Sequence, residues 1–361
     1  MPDSPLLRIL PDVASALASG APVVALESSV LAQGLPIPHN RVAARRMTGA
    51  VATRGAMPAI TAVVRGIPTL GLTDEELERF LAREGVRKVS ARDLGVAVAL
   101  KQDGATTVAA TLALASIAGA RVFATGGIGG VHREPAFDES ADLPELGRTP
   151  MIVVCAGAKS ILDLPATLER LDTLGIPVVG YRTSELPGFF TAETGLALSA
   201  RAESAEDIAR IFIAHRALGR RSAVLVVQPP PAEFALPRET VEGAVERAVA
   251  DAVKRGVRGA AMTPELLGAI VRETGGKSLA ANLALLENNA ALAAEIAVAL
   301  ARLEGVTEDE MNRGAERAKA LNLASSGWYN SSTFIRVGTL SHGHPLPELG
   351  RVRREGSSAV Q

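Results

Sequence analysis

Short apolar runs alternate with helical segments over the first 228 residues, and this alternation most constrains the fold. Runs typical of buried strands occupy residues 22–26, 59–64, 68–72, 86–90, 122–124, 151–156, 177–181 and 223–228. After Gln228 the pattern changes to three helical segments, residues 238–255, 264–273 and 278–303. Because strands that alternate with helices form parallel sheets, the sequence predicts an α/β fold. We expect a mostly parallel central sheet flanked by helices, with a smaller subdomain and a C-terminal helical layer.

The last part of the chain differs from the rest. Residues 304–361 have weak periodicity and clusters of Gly, Ser and Arg. We therefore predict one domain over residues 1–303 and a loosely ordered extension over residues 304–361. His342 and His344 could bind a metal, but two histidines without a further ligand are a weak signal.

Composition excludes several classes of partner. The chain has 361 residues, 47% of them hydrophobic, which allows a large core, and its net charge of −1 predicts no nucleic acid polymer and no membrane as partner. No uncharged apolar run approaches transmembrane length, since even residues 290–303 include Glu295 and Arg302. A single cysteine excludes an internal disulfide, and the first residues do not read as a secretory signal. These features predict a cytoplasmic protein.

The stretch of residues 121–164 organises the predicted site. It contains two strand-like runs, and each is followed by a turn of small residues. Gly126, Gly127, Gly129 and Gly130 follow the first run, and Gly157 follows the second. In open α/β sheets, ligands bind at such turns, beyond the carboxyl ends of strands. The glycine loop fails the dinucleotide fingerprint because His132 stands where that motif has glycine. Its N–H groups could hold a phosphate, or the loop could be a plain turn with positive φ.

Lys159 is the predicted centre of this site. It follows the second run, at what the pattern predicts to be the start of a helix. The positive end of a helix dipole disfavours the charged form of an amine there. A neutral lysine amine is a nucleophile toward carbonyl-like carbons.

Other candidates each have an ordinary alternative. Lys88 could meet an anion, or it could be a solvent-facing lysine on an edge strand. His132 could move a proton, or it could be an incidental loop histidine. Asp138 and Asp142 could hold a hard cation, or they could belong to a solvated acidic loop. They share a face only if their segment is helical.

Two further candidate residues lie in or directly after predicted strands. Glu27 ends the first apolar run and could be an acid with a raised pKa. With Asp142 it could also form the carboxylate pair of an ordinary glycosidase. Cys155 lies inside an apolar strand, which favours a buried small side chain over a nucleophile.

Taken together, these residues resemble the pseudouridine-5'-phosphate glycosidase family, also called pseudouridylate synthases, which includes indigoidine-synthase-A-like proteins. The likeness runs from about residue 23 to about residue 303. The matching segments are ALESSVLAQGLPIPHN (25–40), KVSARDL (88–94), DGATTVAAT (103–111), FATGGIGGVHR (123–133), FDESADL (137–143), CAGAKSILD (155–163), GYRTSELPGFFT (180–191) and SLAANLALLENNAALAAEIA (278–297).

The resemblance implies reversible cleavage of the C–C glycosidic bond of pseudouridine 5'-phosphate to uracil and ribose 5-phosphate. By the match, Lys159 is the nucleophile that bonds to C1′ and Glu27 the proton donor. Asp138 would hold a manganese ion (Mn²⁺) through a water-rich shell. Substrate contacts are expected from Lys88, Val108, Ser140, Ala141, Asp142, His132, Thr125 and Asn282. The family also implies a homotrimer and a role in pseudouridine and nucleotide catabolism.

Two other functions remain open at this stage. A Schiff-base aldolase or other sugar-phosphate lyase would also use Lys159. A sugar-phosphate-binding protein that has lost catalysis would retain only the binding pocket. The two-carboxylate scheme explains neither Lys159 nor a carbon leaving group, because a carbon offers no lone pair for an acid to protonate. The C-glycosidase mechanism accounts for both.

Overall fold

The computed structural model describes residues 6–133, 138–256 and 262–325. In the last of these ranges, side chains are described for residues 265–305 only. By its contacts the chain divides into two units, Met1–Asp309 and Glu310–Gln361. The predicted boundary after residue 303 stays a prediction. The His342 and His344 pair lies outside the described residues.

The strands and helices are as follows. The strands are β1 (Arg8–Ile9), β2 (Val23–Leu26), β3 (Met57–Val64), β4 (Ile67–Leu70), β5 (Arg87–Val89), β6 (Gly104–Thr106), β7 (Val122–Ala124), β8 (Val131–His132), β9 (Ile152–Cys155), β10 (Leu162–Asp163), β11 (Val178–Tyr181), β12 (Ala200–Ala202) and β13 (Val224–Val227). The α-helices are α1 (Pro11–Ala18), α2 (His39–Ala52), α3 (Asp74–Ala82), α4 (Leu94–Ala99), α5 (Val108–Ile117), α6 (Asp142–Leu146), α7 (Leu164–Thr173), α8 (Ala205–Ala217), α9 (Arg238–Lys254), α10 (Met262–Glu273) and α11 (Lys277–Ser325).

The central sheet is mostly parallel, as predicted. Its strands lie in the order β1-β4-β3-β2-β7-β9-β13-β11-β12, and every pairing from β3 through β12 is parallel. Strands β2, β7, β9 and β13 are buried along their whole length. Helices therefore cover both faces, as parallel sheets require. The carboxyl ends of β2, β7 and β9 meet at one edge, where the predicted site residues follow them.

A smaller antiparallel part extends the sheet on one side. The second half of β3 pairs antiparallel with β4 and with β6, and β6 pairs parallel with β5. The sequence predicts most of these strands but not β6, because Gly104-Ala105-Thr106 is too short and too small to be recognised as a strand. A capping box begins α3, where the Thr73 side chain accepts from Glu76 N and the Glu76 carboxylate accepts from Thr73 N.

The helices α9, α10 and α11 form the predicted C-terminal layer. Residues Lys277–Gly305 of α11 are long and apolar enough to cross a membrane by composition, but 78% of the most apolar window is buried inside the protein. Such burial is typical of a helix in a protein core. Leu285, Leu286 and Ile296 belong to the same hydrophobic core as the central strands.

Candidate active site

One cavity at the carboxyl edge of the sheet brings five predicted site residues together. Glu27 follows β2, Thr125 follows β7, and Lys159 lies in the turn after β9, while Lys88 comes from β5 and Asn282 from α11. All five line this cavity. Glu27, Thr125 and Lys159, up to 132 positions apart in the chain, meet because the parallel strands β2, β7 and β9 end at the same edge of the sheet.

Glu27 is buried, with 5% of its surface exposed. Its Oε2 accepts a hydrogen bond of 2.6 Å from the Ser29 hydroxyl, and its Oε1 accepts one from the Thr125 hydroxyl. The two hydroxyls fix the orientation of the carboxyl group at the cavity wall. A carboxyl group held in this way can exchange a proton with a bound molecule at a defined position.

Lys159 lies in a turn, not at the start of a helix. The backbone N–H of Lys159 donates to the Ile128 carbonyl at 3.1 Å, which ties the turn to the glycine loop. Helix α7 begins only at Leu164, with Asp163 as its N-cap. The predicted effect of a helix dipole on Lys159 is therefore wrong, since that field falls off within the first turn.

The Lys159 side chain is not held by an ion pair. Within residues 6–133, 138–256 and 265–305, its ammonium has no hydrogen bond and no carboxylate within 4.0 Å. The residue is half-buried at the cavity. Lys159 thus lines the cavity, and none of the described side chains pairs with its amine.

Lys88 is both an edge-strand residue and a cavity residue. Strand β5 pairs with β6 alone among the described strands, and the Lys88 residue as a whole is exposed. Burial of its ammonium nevertheless lowers the pKa of Lys88, and the positive charge of Lys159 lowers this pKa further. The carboxylates of Glu27 and Asp142 act in the opposite direction. Two cationic side chains therefore share the cavity, which favours an anionic ligand there.

The glycine loop is explained by close packing and not by positive φ. None of Gly126, Gly127, Gly129 and Gly130 has a positive φ, so the predicted turn geometry is wrong for these residues. A Cβ atom on Gly127 would lie 2.5 Å from the Phe189 ring, and one on Gly129 would overlap Ser140. Gly157 alone among the glycines of these two turns has a positive φ, of 86°.

The acidic residue Asp142 is part of the protein interior. Its Oδ2 accepts from Gly129 N at 2.8 Å, and its Oδ1 accepts from Ala109 N at 3.0 Å in the first turn of α5. With 6% of its surface exposed, Asp142 does not belong to a solvated loop, and that alternative is wrong. Asp138 precedes α6, so the two aspartates do not share a helix face.

Three other predicted substrate contacts, Ser140, Ala141 and Val108, adjoin Asp142 or its hydrogen-bond partner Ala109 in the chain. Ser140 accepts from Asp142 N through its hydroxyl, and Ala141 is the residue before α6. Val108 is the first residue of α5 and is buried. Since both carboxylate oxygens of Asp142 are bound to backbone N–H groups and Asp142 does not line the cavity with Glu27, the structure disfavours the two-carboxylate scheme.

His132 and Asp138 lie together beside the lysines. His132 N donates to the Asp138 carbonyl at 2.9 Å. Burial lowers the pKa of His132, the Asp138 carboxylate raises it, and the charges of Lys159 and Lys88 lower it. No three His, Cys, Asp or Glu side chains form a metal cluster in the described part of the chain. A single carboxylate fits a hard divalent cation that keeps most of its water ligands, and it does not fit a closed structural zinc site.

A buried network of hydroxyl groups, which sequence patterns did not indicate, supports the site. Thr61, Thr106 and Thr111 are linked through their Oγ1 atoms at 2.8–3.1 Å, and the Ser28 hydroxyl donates to the Thr61 carbonyl. All four residues are fully buried. The network joins β3, β6 and α5 to Ser28, the residue after Glu27. Polar residues in apolar strands were the available signal, but their partners lie far away in sequence.

Asn289 is a second residue that sequence analysis missed. It lies on α11 with 1% of its surface exposed. Its Nδ2 donates to the carbonyls of Thr125 and Gly126, and its Oδ1 accepts from Gln228. A polar residue within the apolar face of a buried helix was the available signal. Asn289 fixes α11 to the end of β7 and so positions Asn282 over the cavity.

We expect Asn289→Leu to destabilise the protein by about 2–4 kcal/mol, because two buried carbonyls and one amide N–H lose their partner. Urea denaturation monitored by circular dichroism measures this change. Asn288→Leu, the same substitution at the preceding half-buried residue, is the control and should cost less than about 1 kcal/mol. Equal effects of the two substitutions would contradict the assigned role of Asn289.

Cys155 is expected to be unreactive in the native protein. It lies in β9, fully buried, and burial raises the pKa of its thiol to about 12. The thiolate is the reactive form, so iodoacetamide at pH 8 should label Cys155 only after unfolding in urea. Mass spectrometry of the labelled peptide measures this. Rapid labelling of the native protein would contradict the buried assignment.

Comparisons with known proteins agree with this architecture. The family model for indigoidine synthase A-like proteins matches residues 12–299. A pseudouridine-5'-phosphate glycosidase from Gemmatimonas aurantiaca is 67% identical over 293 residues, covering 81% of this chain and 96% of the relative. Another, from Herpetosiphon aurantiacus, is 54% identical over 296 residues, covering 81% of this chain and 98% of the relative.

Two solved structures share the fold. The prealnumycin C-glycosynthase AlnA, in complex with ribulose 5-phosphate, is 40% identical, with a TM-score of 0.78 over 84% of this chain and 99% of that chain. An indigoidine synthase A-like protein from Thermotoga maritima is 36% identical, with a TM-score of 0.76 over 82% of this chain and 97% of that chain. The resemblance drawn from the motifs is confirmed: this chain belongs to the indigoidine synthase A-like family of enzymes, which includes the pseudouridine-5'-phosphate glycosidases.

Proposed function

We propose that this enzyme reversibly cleaves the C–C glycosidic bond of pseudouridine 5'-phosphate to uracil and ribose 5-phosphate through a covalent adduct on Lys159. The observation that carries this proposal is one cavity lined by a buried carboxyl group and by an amine that has no ion-pair partner among the described residues. The names of the relatives support the substrate. The ribulose 5-phosphate in the AlnA structure supports a pentose phosphate ligand in this fold.

The chemistry accounts for a lysine at this position. In the proposed first step the neutral Lys159 amine bonds to C1′, the C1′–O4′ bond breaks, and the nitrogen passes a proton to O4′, which restores the nitrogen lone pair. Glu27 then protonates C5 of the uracil ring, the C1′–C5 bond breaks toward C5, and the nitrogen lone pair forms a C1′=N bond. Water adds to C1′ and releases ribose 5-phosphate from Lys159. The lone pair of the nitrogen thus drives cleavage of the C1′–C5 bond, although the leaving carbon has no lone pair of its own that an acid could protonate.

The remaining predicted residues are proposed to bind the substrate. Lys88 adds a second positive charge beside Lys159, which suits the phosphate of an opened sugar. Contact with the phosphate would keep the sugar in place after its ring opens. Val108, Ser140, Ala141, Asp142, His132, Thr125 and Asn282 stay predicted substrate contacts.

A manganese ion at Asp138 is part of the proposal. The donor set described above fits a cation held by one carboxylate and by water. When bound, such an ion supplies positive charge near the substrate. Asp138 would hold it, and His132 is the neighbouring group whose pKa responds to the Asp138 charge.

We expect chelation by EDTA to lower the rate of uracil release and added Mn²⁺ to restore it. Asp138→Asn should raise the Mn²⁺ concentration needed for half-maximal rate by at least about 10-fold, since one ligand charge is lost. Glu139→Gln is the control, because Glu139 is engaged by Arg170 at 2.9 Å. A rate that EDTA does not change would remove the metal from the proposal.

Uracil release tests the function itself. The purified protein with pseudouridine 5'-phosphate should release uracil, followed by absorbance and confirmed by chromatography. An aldolase would instead cleave the sugar phosphate into smaller fragments, and a binding protein would release nothing. Either of these outcomes would overturn the proposed reaction. The cytoplasmic location, the homotrimer and the role in catabolism also remain predictions.

A further inference from the structure

Two side-chain amides line the cleft that holds Lys159 and Glu27, and their oxygens have no partner among the described residues. Gln33 and Asn282 line the catalytic cavity and also an adjoining cavity bounded by Phe190 and Leu267. The two cavities are therefore parts of one cleft. Gln33 Oε1 and Asn282 Oδ1 are both buried and have no hydrogen-bond partner among the described residues.

The orientation of the Gln33 amide is fixed by its own hydrogen bond. Gln33 Nε2 donates to the Val86 carbonyl at 3.2 Å. Because the amide nitrogen has this acceptor, the oxygen is the atom left without a partner. Gln33 lies in the single helical turn Val30–Gly34, which follows Glu27 in the chain. Glu27, the proposed proton donor, and Gln33, whose amide is held by Val86, thus lie close together in the chain and line the same cleft.

A buried acceptor that lacks a donor costs stability, and such groups in native proteins are usually satisfied by a ligand or by water. The substrate proposed above brings suitable donors. A uracil ring joined to ribose through C5 carries two N–H groups, at N1 and N3, whereas N1-linked uracil carries one. Two buried amide oxygens match two ring donors, and neither lysine of the cavity can accept a hydrogen bond when charged.

We propose that Gln33 is a specificity-determining residue, whose Oε1 accepts a hydrogen bond from a ring N–H of the uracil group. Asn282 Oδ1 lies in the same cleft as the second acceptor. The inference rests on the proposed function and adds to it the recognition of the base. By this assignment Gln33 binds the base without touching the sugar or its phosphate.

Gln33→Met tests this assignment, because methionine keeps the length of the side chain and removes the acceptor. In the synthetic direction we expect the KM for uracil to rise by about 10-fold or more, as for loss of a buried hydrogen bond. The KM for ribose 5-phosphate should change by less than about 2-fold. Equal increases in the two KM values, or no increase for uracil, would overturn the proposal.

Methylated substrates identify the hydrogen bond directly. The probes are the 5'-phosphates of 1-methylpseudouridine and 3-methylpseudouridine. If Gln33 accepts from one ring nitrogen, methylation of that nitrogen should lower kcat/KM for the wild type by about 10-fold or more. The same methylation should then change kcat/KM for Gln33→Met by less than about 3-fold. The substitution has already removed the hydrogen bond that the methyl group would block, so the two effects are not additive. Additive effects for both methylated substrates would contradict the assignment.

A third measurement separates this inference from the proposed reaction and from misfolding. Reduction with borohydride in the presence of ribose 5-phosphate alone should trap the sugar on Lys159 equally well in the wild type and in Gln33→Met, because no base is present. A wild type that traps no adduct would contradict the proposed function. A defect in trapping that is confined to Gln33→Met would contradict a role limited to the base.

Discussion

Replacement of Lys159 by alanine is expected to lower uracil release by at least about 10⁴-fold, which corresponds to about 5 kcal/mol of transition-state stabilisation. The proposed reaction needs a nitrogen that can bond to C1′, and alanine provides none. The substitution should leave the fold unchanged, because Lys159 is only half-buried and its ammonium has no hydrogen bond or ion pair with any described residue. Uracil release is measured by absorbance, and unfolding by urea denaturation.

Lys88→Met is the matched comparison, since Lys88 is the other lysine of the cavity. It should raise the KM for pseudouridine 5'-phosphate and lower kcat by less than about 10-fold, because Lys88 is proposed to bind the substrate without bonding to it. A Lys159→Ala enzyme with more than about 1% of the wild-type rate would refute the assignment of the nucleophile. So would a complete loss of rate in Lys88→Met with normal activity in Lys159→Ala.

Glu27→Gln is expected to lower kcat by about 10²–10⁴-fold, the range typical of a lost general acid. Glutamine keeps the shape of the side chain but has no proton to give to C5 of uracil. An amide can still accept from one hydroxyl of the pair Ser29 and Thr125, and the other hydroxyl can rotate to accept from the amide nitrogen. The substitution should therefore cost little stability.

Glu145→Gln is the control for Glu27. Glu145 is also a buried carboxylate, bound by Arg148 and Thr149, and it does not line the cavity. Its replacement should lower stability while kcat stays within about 2-fold. Covalent trapping of ribose 5-phosphate should persist in Glu27→Gln, because trapping involves no transfer of a proton to carbon. Normal uracil release by Glu27→Gln would show that another group donates the proton.

The sequence predicts the sheet well because its strands are buried on both faces. The runs at 22–26, 122–124 and 151–156 become β2, β7 and β9 with ends that differ by at most one residue. Their apolar composition is sufficient to identify them. Short elements are missed, as with β6, β8 and β10, since two or three residues carry no period.

The site is predicted in position but not in detail. Lys159 and Glu27 lie where strands of a parallel sheet end, and that rule alone places them near each other. The helix-dipole argument fails because residues 159–163 form a turn and a short strand before α7 begins. The positive φ expected of the glycine loop fails because those glycines make room for Phe189 and Ser140. Both errors come from contacts that are distant in sequence.

The central claim is that Lys159 forms a covalent bond with C1′ of the sugar. The most direct measurement is borohydride reduction of the enzyme with ribose 5-phosphate, followed by mass spectrometry of its peptides. We expect a reduced pentose phosphate adduct on Lys159 in the wild type and on no residue in Lys159→Ala. An adduct on Lys88 or another lysine, with Lys159 unmodified, would contradict it.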